Sequence, residues 1–304
     1  MGPANKYRHR VVLVMLAAGS AALLVAGCST GTTTNNGANA PSPSTVASTP
    51  APSGMPGMPG MSEPMPAGNG LSASESGFTL VPGTTTIPAN TPNTFTFRIT
   101  RPDGAAVTQF VPEQTQLLHF YLIRADLTGF AHLHPSMAAD GTWTTALPAM
   151  APGDWRAYTQ FTARHPSDVT VPLVLSMPLT VPGAVTMQSI PAPSNTATVD
   201  GYTVTLSGQP AAGKDSPLTF AFSRDGQPVT DLQPYLDTYA HVTAIRAADL
   251  AFAHLHPQNP VNGDHGGPTL TVDAHFPASG DWGLFIQFQT GGIVHTAEMT
   301  LHVG

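Results

Sequence analysis

The chain contains the same unit twice. Asp103–Pro135 aligns without a gap to Asp225–Pro257 at an offset of 122, with 15 identities in 33 positions. The shared residues include Asp-Gly-x-x-Val-Thr, a His followed by Ile-Arg-Ala, and Phe-Ala-His-Leu-His-Pro entire. Downstream, Gly153-Asp154-Trp155 matches Gly280-Asp281-Trp282, and Gln160-Phe161 matches Gln287-Phe288. The second copy carries five extra residues between these blocks, around Asn262–Gly267, and Pro191–Ser194 lies in the linker. Any fold for this chain must therefore serve two diverged copies, each of about 105–110 residues and each able to bury its own core.

The segments inside each copy read as strands. Phe95–Ile99 and Leu218–Phe222 alternate apolar and polar residues, and Trp155–Phe161 and Trp282–Phe288 set every second residue on one face. Pro-Gly and Gly-Asp clusters separate them. With 31 Pro and 29 Gly in 304 residues, long helices are disfavoured, while abundant Thr and Val favour strands. The expectation is an all-β chain with two tandem β-sandwiches, over residues 77–184 and 197–304.

Ahead of the repeats, Lys6, Arg8 and Arg10 precede an apolar run from Val11 to Val25 that ends Leu24-Val25-Ala26-Gly27-Cys28. This has the parts of a secretory signal peptide. At about 15 residues, with Gly19 and Ser20 inside it, the run is short for a span of roughly 20. Its ending resembles the bacterial lipobox. That resemblance implies cleavage of residues 1–27 and lipid on Cys28, giving a membrane-anchored protein on the extracytoplasmic face. Cys28 is the single Cys, so internal disulfides and Cys-based metal clusters are excluded, and its lipidation would leave no Cys nucleophile. Residues 1–27 hold three of the 11 basic residues and none of the 18 acidic ones, so the remainder is more acidic than the whole chain's −7. Such a chain offers no basic patch for nucleic acid.

Residues 28–76 read as a disordered tether, rich in Pro, Gly, Ser and Thr. Within it Met55, Met58, Met61 and Met65 recur every three or four residues. Thioethers are soft ligands that select Cu(I), so this run is a candidate copper-binding segment. The bland alternatives are a neutral linker or an oxidant scavenger.

Six of the 12 His occupy matching positions: His119, His132 and His134 in the first copy, His241, His254 and His256 in the second. In extended backbone the two His of His-x-His point to one face, roughly 6.5–7 Å apart, and a third on the neighbouring strand would complete a three-nitrogen site for copper or zinc. Gln160 and Gln287, or Asp126 and Asp249, are the nearest candidates for a fourth ligand. Ligation needs neutral imidazole, so affinity is expected to fall as pH drops through the range near 6.5. The structural alternative is that these His hold turns through backbone carbonyls, which duplication would copy equally. His265 lies in the inserted Gly-rich loop as a solvated or site-closing residue. His275, His295 and His302, found in the second copy alone, are expected to line or cap strands, and His165 to sit in a turn.

The Phe-x-His-Leu-His-Pro motif, with a His on an upstream strand and a Gly-Asp-Trp strand downstream, resembles secreted bacterial immunoglobulin-like domains of the CopC and YtkA-like copper and heavy-metal-associated type. The resemblance covers both copies and implies immunoglobulin-like sandwiches that bind copper. It departs from the CopC pattern at the N-terminus, where that family's ligands include a mature N-terminal His and this chain would begin with Cys28. The Pro-, Thr- and Ala-rich, Lys-poor composition looks actinobacterial. No His-Glu-x-x-His or complete phosphate loop is present, so the expectation is not an enzyme. The preferred function is an anchored metal-binding lipoprotein that sequesters copper or hands it to a copper-handling partner. A cell-surface structural or interaction module is the first alternative, and a copper-dependent enzyme the second. The lipobox generates a direct test: Cys28→Ser should release the protein or leave it unprocessed, and an unmodified Cys28 in mass spectra of membrane-derived protein would refute anchoring.

Overall fold

The computed structural model describes residues 66–165 and 168–304, apart from the side chain of His254. Cys28 and the Met55–Met65 run lie outside the described residues. Nineteen strands and no helix occur among them. The first repeat contains β1 (Ser74–Glu75), β2 (Phe78–Pro82), β3 (Asn93–Thr100), β4 (Phe110–Val111), β5 (His119–Arg124), β6 (Phe130–Leu133), β7 (Ser136–Met137), β8 (Thr142–Leu147), β9 (Gly153–Arg164) and β10 (Thr170–Val181). The second contains β11 (Thr196–Val199), β12 (Tyr202–Ser207), β13 (Asp215–Arg224), β14 (Gln227–Pro228), β15 (Ala240–Arg246), β16 (Phe252–Pro257), β17 (Thr269–His275), β18 (Gly280–Thr290) and β19 (Ile293–Val303).

In the first repeat one sheet runs β1-β2-β3-β8-β7 and the other β10-β9-β5-β6, with β4 added on β9. Taken in chain order, β2-β3-β8-β7 and β10-β9-β5-β6 give the A-B-E-D and G-F-C-C′ arrangement of an immunoglobulin-like sandwich, with β1 added at the edge of the first sheet. Phe95, Phe97, Phe120, Trp143 and Phe161 fill its core. The second repeat orders its strands the same way, but β16 pairs with both β15 and β17 and joins the two layers into one continuous path. Its core centres on Phe220, Phe222, Phe276, Trp282 and Phe288.

The repeated motifs have structural work in both copies. Arg124 of Ile-Arg-Ala donates to the Pro152 carbonyl, and Arg246 donates to the Ser279 carbonyl. The indole N–H of Trp155 donates to the Ala151 carbonyl and that of Trp282 to the Ala278 carbonyl. These bonds lock the end of β5 or β15 to the Gly-Asp-Trp start of the facing strand. Asp126 and Asp249 belong to the same turns. Asp126 accepts from Arg124, Thr128 and the Gln188 N–H, and Asp249 from Arg246 and the Ala251 N–H. Their carboxylates serve these bonds rather than a metal.

The expected alternation fails in the central strands, for an instructive reason. All six residues of β5 are buried, as are the seven from Ala157 to Ala163 in β9. One face of each strand packs into its own sandwich. The other packs against the second repeat, where Tyr121, Ile123, Leu127, Tyr158, Val174, Ile245, Phe252 and Phe285 form a third apolar cluster. Phe130 stacks on Phe285 with centroids 4.3 Å apart. Leu127 sits over Gly283, where a Cβ would come within 2.9 Å of its side chain. In the register set by Gly153 and Gly280, the first repeat has Arg156 at that position.

The tether ends earlier than its composition suggests, because residues 66–76 belong to the fold. Ala67 bridges to Leu173, Ser74–Glu75 forms β1, and the Asn69 carbonyl accepts from the Phe252 N–H. The Gly70 carbonyl accepts from Ser176 Oγ of the first repeat. Gly70 has φ of 67°, and a Cβ there would meet that of Phe252 at 2.8 Å. The segment thus touches both repeats through backbone atoms, which low-complexity sequence can supply without apolar side chains. The protein is expected to unfold in a single calorimetric transition, and Phe285→Ala should cost about 3–5 kcal/mol and separate that transition into two. A single transition of unchanged midpoint would show that the junction contributes nothing.

Candidate metal site at the junction of the repeats

Strand geometry brings His119, His132 and His134 together. In β5–β6 Tyr121 is opposite His132, so His119, two residues before Tyr121, lies on the same face. His134 follows His132 by two. A ring nitrogen from each falls within 4.8 Å of the others, the one such group of three His, Cys, Asp or Glu side chains among the described residues.

Hydrogen bonds fix which nitrogens face inward. His119 Nε2 donates to the Glu113 carbonyl (3.1 Å), leaving the lone pair on Nδ1. His132 Nδ1 lies 2.7 Å from Gln287 Oε1, an oxygen of the second repeat. With Nδ1–H donating to that oxygen, the lone pair of His132 is on Nε2. His119 Nδ1 and His132 Nε2 are 3.0 Å apart, so two lone pairs then face each other. A cation between them satisfies both, and outer hydrogen bonds of this kind orient metal-bound imidazoles generally. Amide oxygen and nitrogen are assigned from the bonding network, which defines the ion-free alternative. With the Gln287 amide turned over, its N–H donates to His132 Nδ1 and His132 Nε2–H donates to His119. Thr296 Oγ1, 3.5 Å from the amide, then donates to the Gln287 oxygen.

Metal–nitrogen bonds of about 2.0–2.1 Å place tetrahedral ligand atoms about 3.3 Å apart. The His119–His132 pair is nearly there, and His134, within 4.8 Å of both, needs to close in by at most about 1.5 Å. His134 Nε2 is buried with no hydrogen-bond partner among the described residues, so this movement breaks no bond at that nitrogen.

The other expected residues divide. His241 turns into the junction. Its ring is 4.7 Å from His132 and 5.6 Å from His119, and its Nε2 lies 3.0 Å from Tyr121 Oη. Gln160, opposite His119, accepts from Tyr121, and Gln287 acts behind His132. His254 is opposite His275 on β17, not Thr243 on β15. His265 is exposed. His275, His295 and His302 bond Asp215, Asp200 and Asp281 respectively, as strand-lining residues do. Tyr121 was invisible as a site residue in the sequence, since its copy in the second repeat is Thr243.

All three imidazoles are held neutral. Burial pulls His119 down to about 4, against the raising effect of its bond to Glu113. Burial also lowers His132 well below its ordinary value, aided by the neighbouring His241, His119 and His134, and burial lowers His134. Protons therefore compete with a metal ion at a lower pH than the 6.5 expected from free imidazole.

The chain belongs to the family described as a domain of unknown function (DUF8832), whose model matches residues 73–177 and again residues 197–304. No curated protein matches it. Among solved structures it is similar to FdeC, an Escherichia coli adhesin, at 17% identity over 76% of this chain and 65% of that one, with a TM-score of 0.24. It is similar to InvD of Yersinia pseudotuberculosis at 15% identity over 76% and 58%, with a TM-score of 0.23. Domains 4 and 5 of the S-layer protein SbsC match at 17% identity over 76% and 98%, with a TM-score of 0.22. The chain spans less than two thirds of the length of the first two.

The depressed imidazoles set the direction of a pH effect. Unfolded His binds its proton near 6.5, whereas folded His119 does so at about 4. The unfolded state thus holds more protons in this window, and stability falls as pH drops from about 6.5 towards 4. Metal-free protein should show melting temperatures that are level above pH 7 and fall below pH 6.5. His119→Gln should reduce the fall, and an identical profile in that variant would remove His119 as its source.

Proposed function

We propose that this protein is an extracytoplasmic, lipid-anchored module whose two rigidly packed sandwiches hold a transition metal at their junction, copper first and zinc second. The facing nitrogens of His119 and His132 carry this reading, with their outer N–H groups already directed to Glu113 and Gln287. Three neutral imidazoles suit Cu and Zn. The lipobox at Cys28 supports a place on the outer face of the membrane, and Met55, Met58, Met61 and Met65 would supply soft ligands for Cu(I) beside it. Sequestration of copper, or its transfer to a copper-handling partner, fits this combination.

A second reading has its own observation. His132 bonds Gln287 and Tyr121 bonds His241 across the junction, so the His would cement a structural or interaction module at the cell surface. His134→Ala separates the two. It removes a ligand whose Nε2 makes no hydrogen bond among the described residues, so metal binding predicts at least a tenfold loss of Cu(II) and Zn(II) affinity. The metal-free melting temperature should move by no more than about 2 °C, the effect of less than 1 kcal/mol in a protein of this size. Unchanged stoichiometry and affinity in titrations of the variant would reject the metal site and leave the structural reading.

A further inference from the structure

Two long strands lie at sheet edges, and the chain closes only one of them. The other strands that end a sheet have four residues or fewer, whereas β10 has 12 and β19 has 11. A long unpaired edge is a place where another strand can add. Val181 is opposite Gly153 and Val303 is opposite Gly280, so β10 and β19 match at the offset of 122. Along β10 every second residue turns its main-chain groups outward, and the segment before β1 takes them up. Ala67 bonds both the Pro172 carbonyl and the Val174 N–H, and the Ser72 carbonyl accepts from the Ser176 N–H. Pro172 and Pro178 have no outward N–H to offer.

The matching positions of β19 are Val294, Thr296, Glu298 and Thr300. The Thr300 carbonyl accepts from the Ser194 N–H, so this set faces outward. The outward main-chain groups of Val294, Thr296 and Glu298 have no partner among the described residues. No Pro occurs in β19, and Ile293 and Val294 at its start are 62% and 39% exposed.

This edge is complementary to itself. Two antiparallel copies centred on Thr296 put Thr296 opposite the partner's Thr296 and Val294 opposite the partner's Glu298. Each is a pair that exchanges both N–H···O bonds, so one register satisfies every open group on both copies. Thr–Thr pairs are favourable across strands. The two Glu298 side chains lie four positions apart, about 14 Å along the strand, beyond a Debye length of about 8 Å at physiological salt. Thr300, already bonded by Ser194, falls opposite the partner's Gly292, past the end of β19.

We propose that β19 is a homodimerisation edge, to which a second copy of this chain adds its own β19 antiparallel and centred on Thr296. The sheet then runs on from one molecule into the next. A second copy is the fitting occupant because its β10 is closed and its β19 is the long edge left to pair. The contact uses none of His119, His132 and His134, so it stands whether or not they hold an ion.

The test is sedimentation velocity at rising concentration on the chain from residue 29, which keeps every described residue and has no Cys. It should form a dimer. Val294→Pro reproduces Pro172, which β10 accommodates. It removes one outward N–H from each copy and should weaken the dimer about tenfold or more, with the melting temperature of the monomer unchanged. Single thiols read the register independently, because directly opposed Cα atoms about 5.5 Å apart suit a disulfide. Thr296→Cys should oxidise to a covalent dimer on its own. Val294→Cys and Glu298→Cys should crosslink only when mixed. A chain that stays monomeric at every concentration overturns the proposal. So does a dimer insensitive to Val294→Pro, or one in which Thr296→Cys fails to crosslink. Should Val294→Pro fold poorly, the thiol pattern decides alone.

Discussion

The organisation of the molecule depends on burial of both faces of β5, β9, β15 and β18. A sandwich strand ordinarily keeps one face for its core and gives the other to water. Here the outward faces of the central strands meet each other, so Tyr121, Tyr158 and Phe285 are as inaccessible as core residues. Polar groups trapped there must find partners or cost stability. The bonds of His119 to Glu113, His132 to Gln287 and Tyr121 to His241 are the result. Two of the three join one repeat to the other, so they specify how the repeats dock as well as satisfying buried groups. The segment around Gly70 reinforces the same arrangement from its edge.

Once docked, the two copies no longer have equivalent surroundings, and their matching residues diverge in role. His119 meets an imidazole from its own repeat, whereas His241 meets Tyr121 and His132 of the other. Leu127 needs the space over Gly283, a position held by Arg156 in the first copy. Pro148 leaves β6 paired to β5 alone, while His275 lies in the ladder that carries β16 across to β17. Residues that act within one repeat kept their roles. The Ile-Arg-Ala and Gly-Asp-Trp segments make the same bonds in both copies.

Placing a metal group at such a junction would couple two equilibria. Gln287 reaches His132 from the second repeat, so an ion held by His119, His132 and His134 would favour the docked state over any opened one. By linkage, whatever loosens docking would weaken the ion. Burial contributes as well, since it keeps the imidazoles neutral where surface His would begin to be protonated.

The repeat, the strand pattern and the apolar positions of both cores were legible in the sequence, because alternation and duplication are local properties of the chain. So was the gathering of His119, His132 and His134, which needs only a two-residue spacing and one neighbouring strand. The fate of the second triad was not legible, since identical Phe-Ala-His-Leu-His-Pro segments in the two copies cannot reveal which neighbour each pairs with. Nor were the roles of Tyr121 and Gln287, or the inclusion of residues 66–76 in the fold. Each depends on contact between residues distant in the chain. The sequence by itself determined two all-β units and the face of each strand that a core would claim. Tertiary structure alone decided what covers the remaining face, because that choice is set by the docking of two whole sheets rather than by any local pattern.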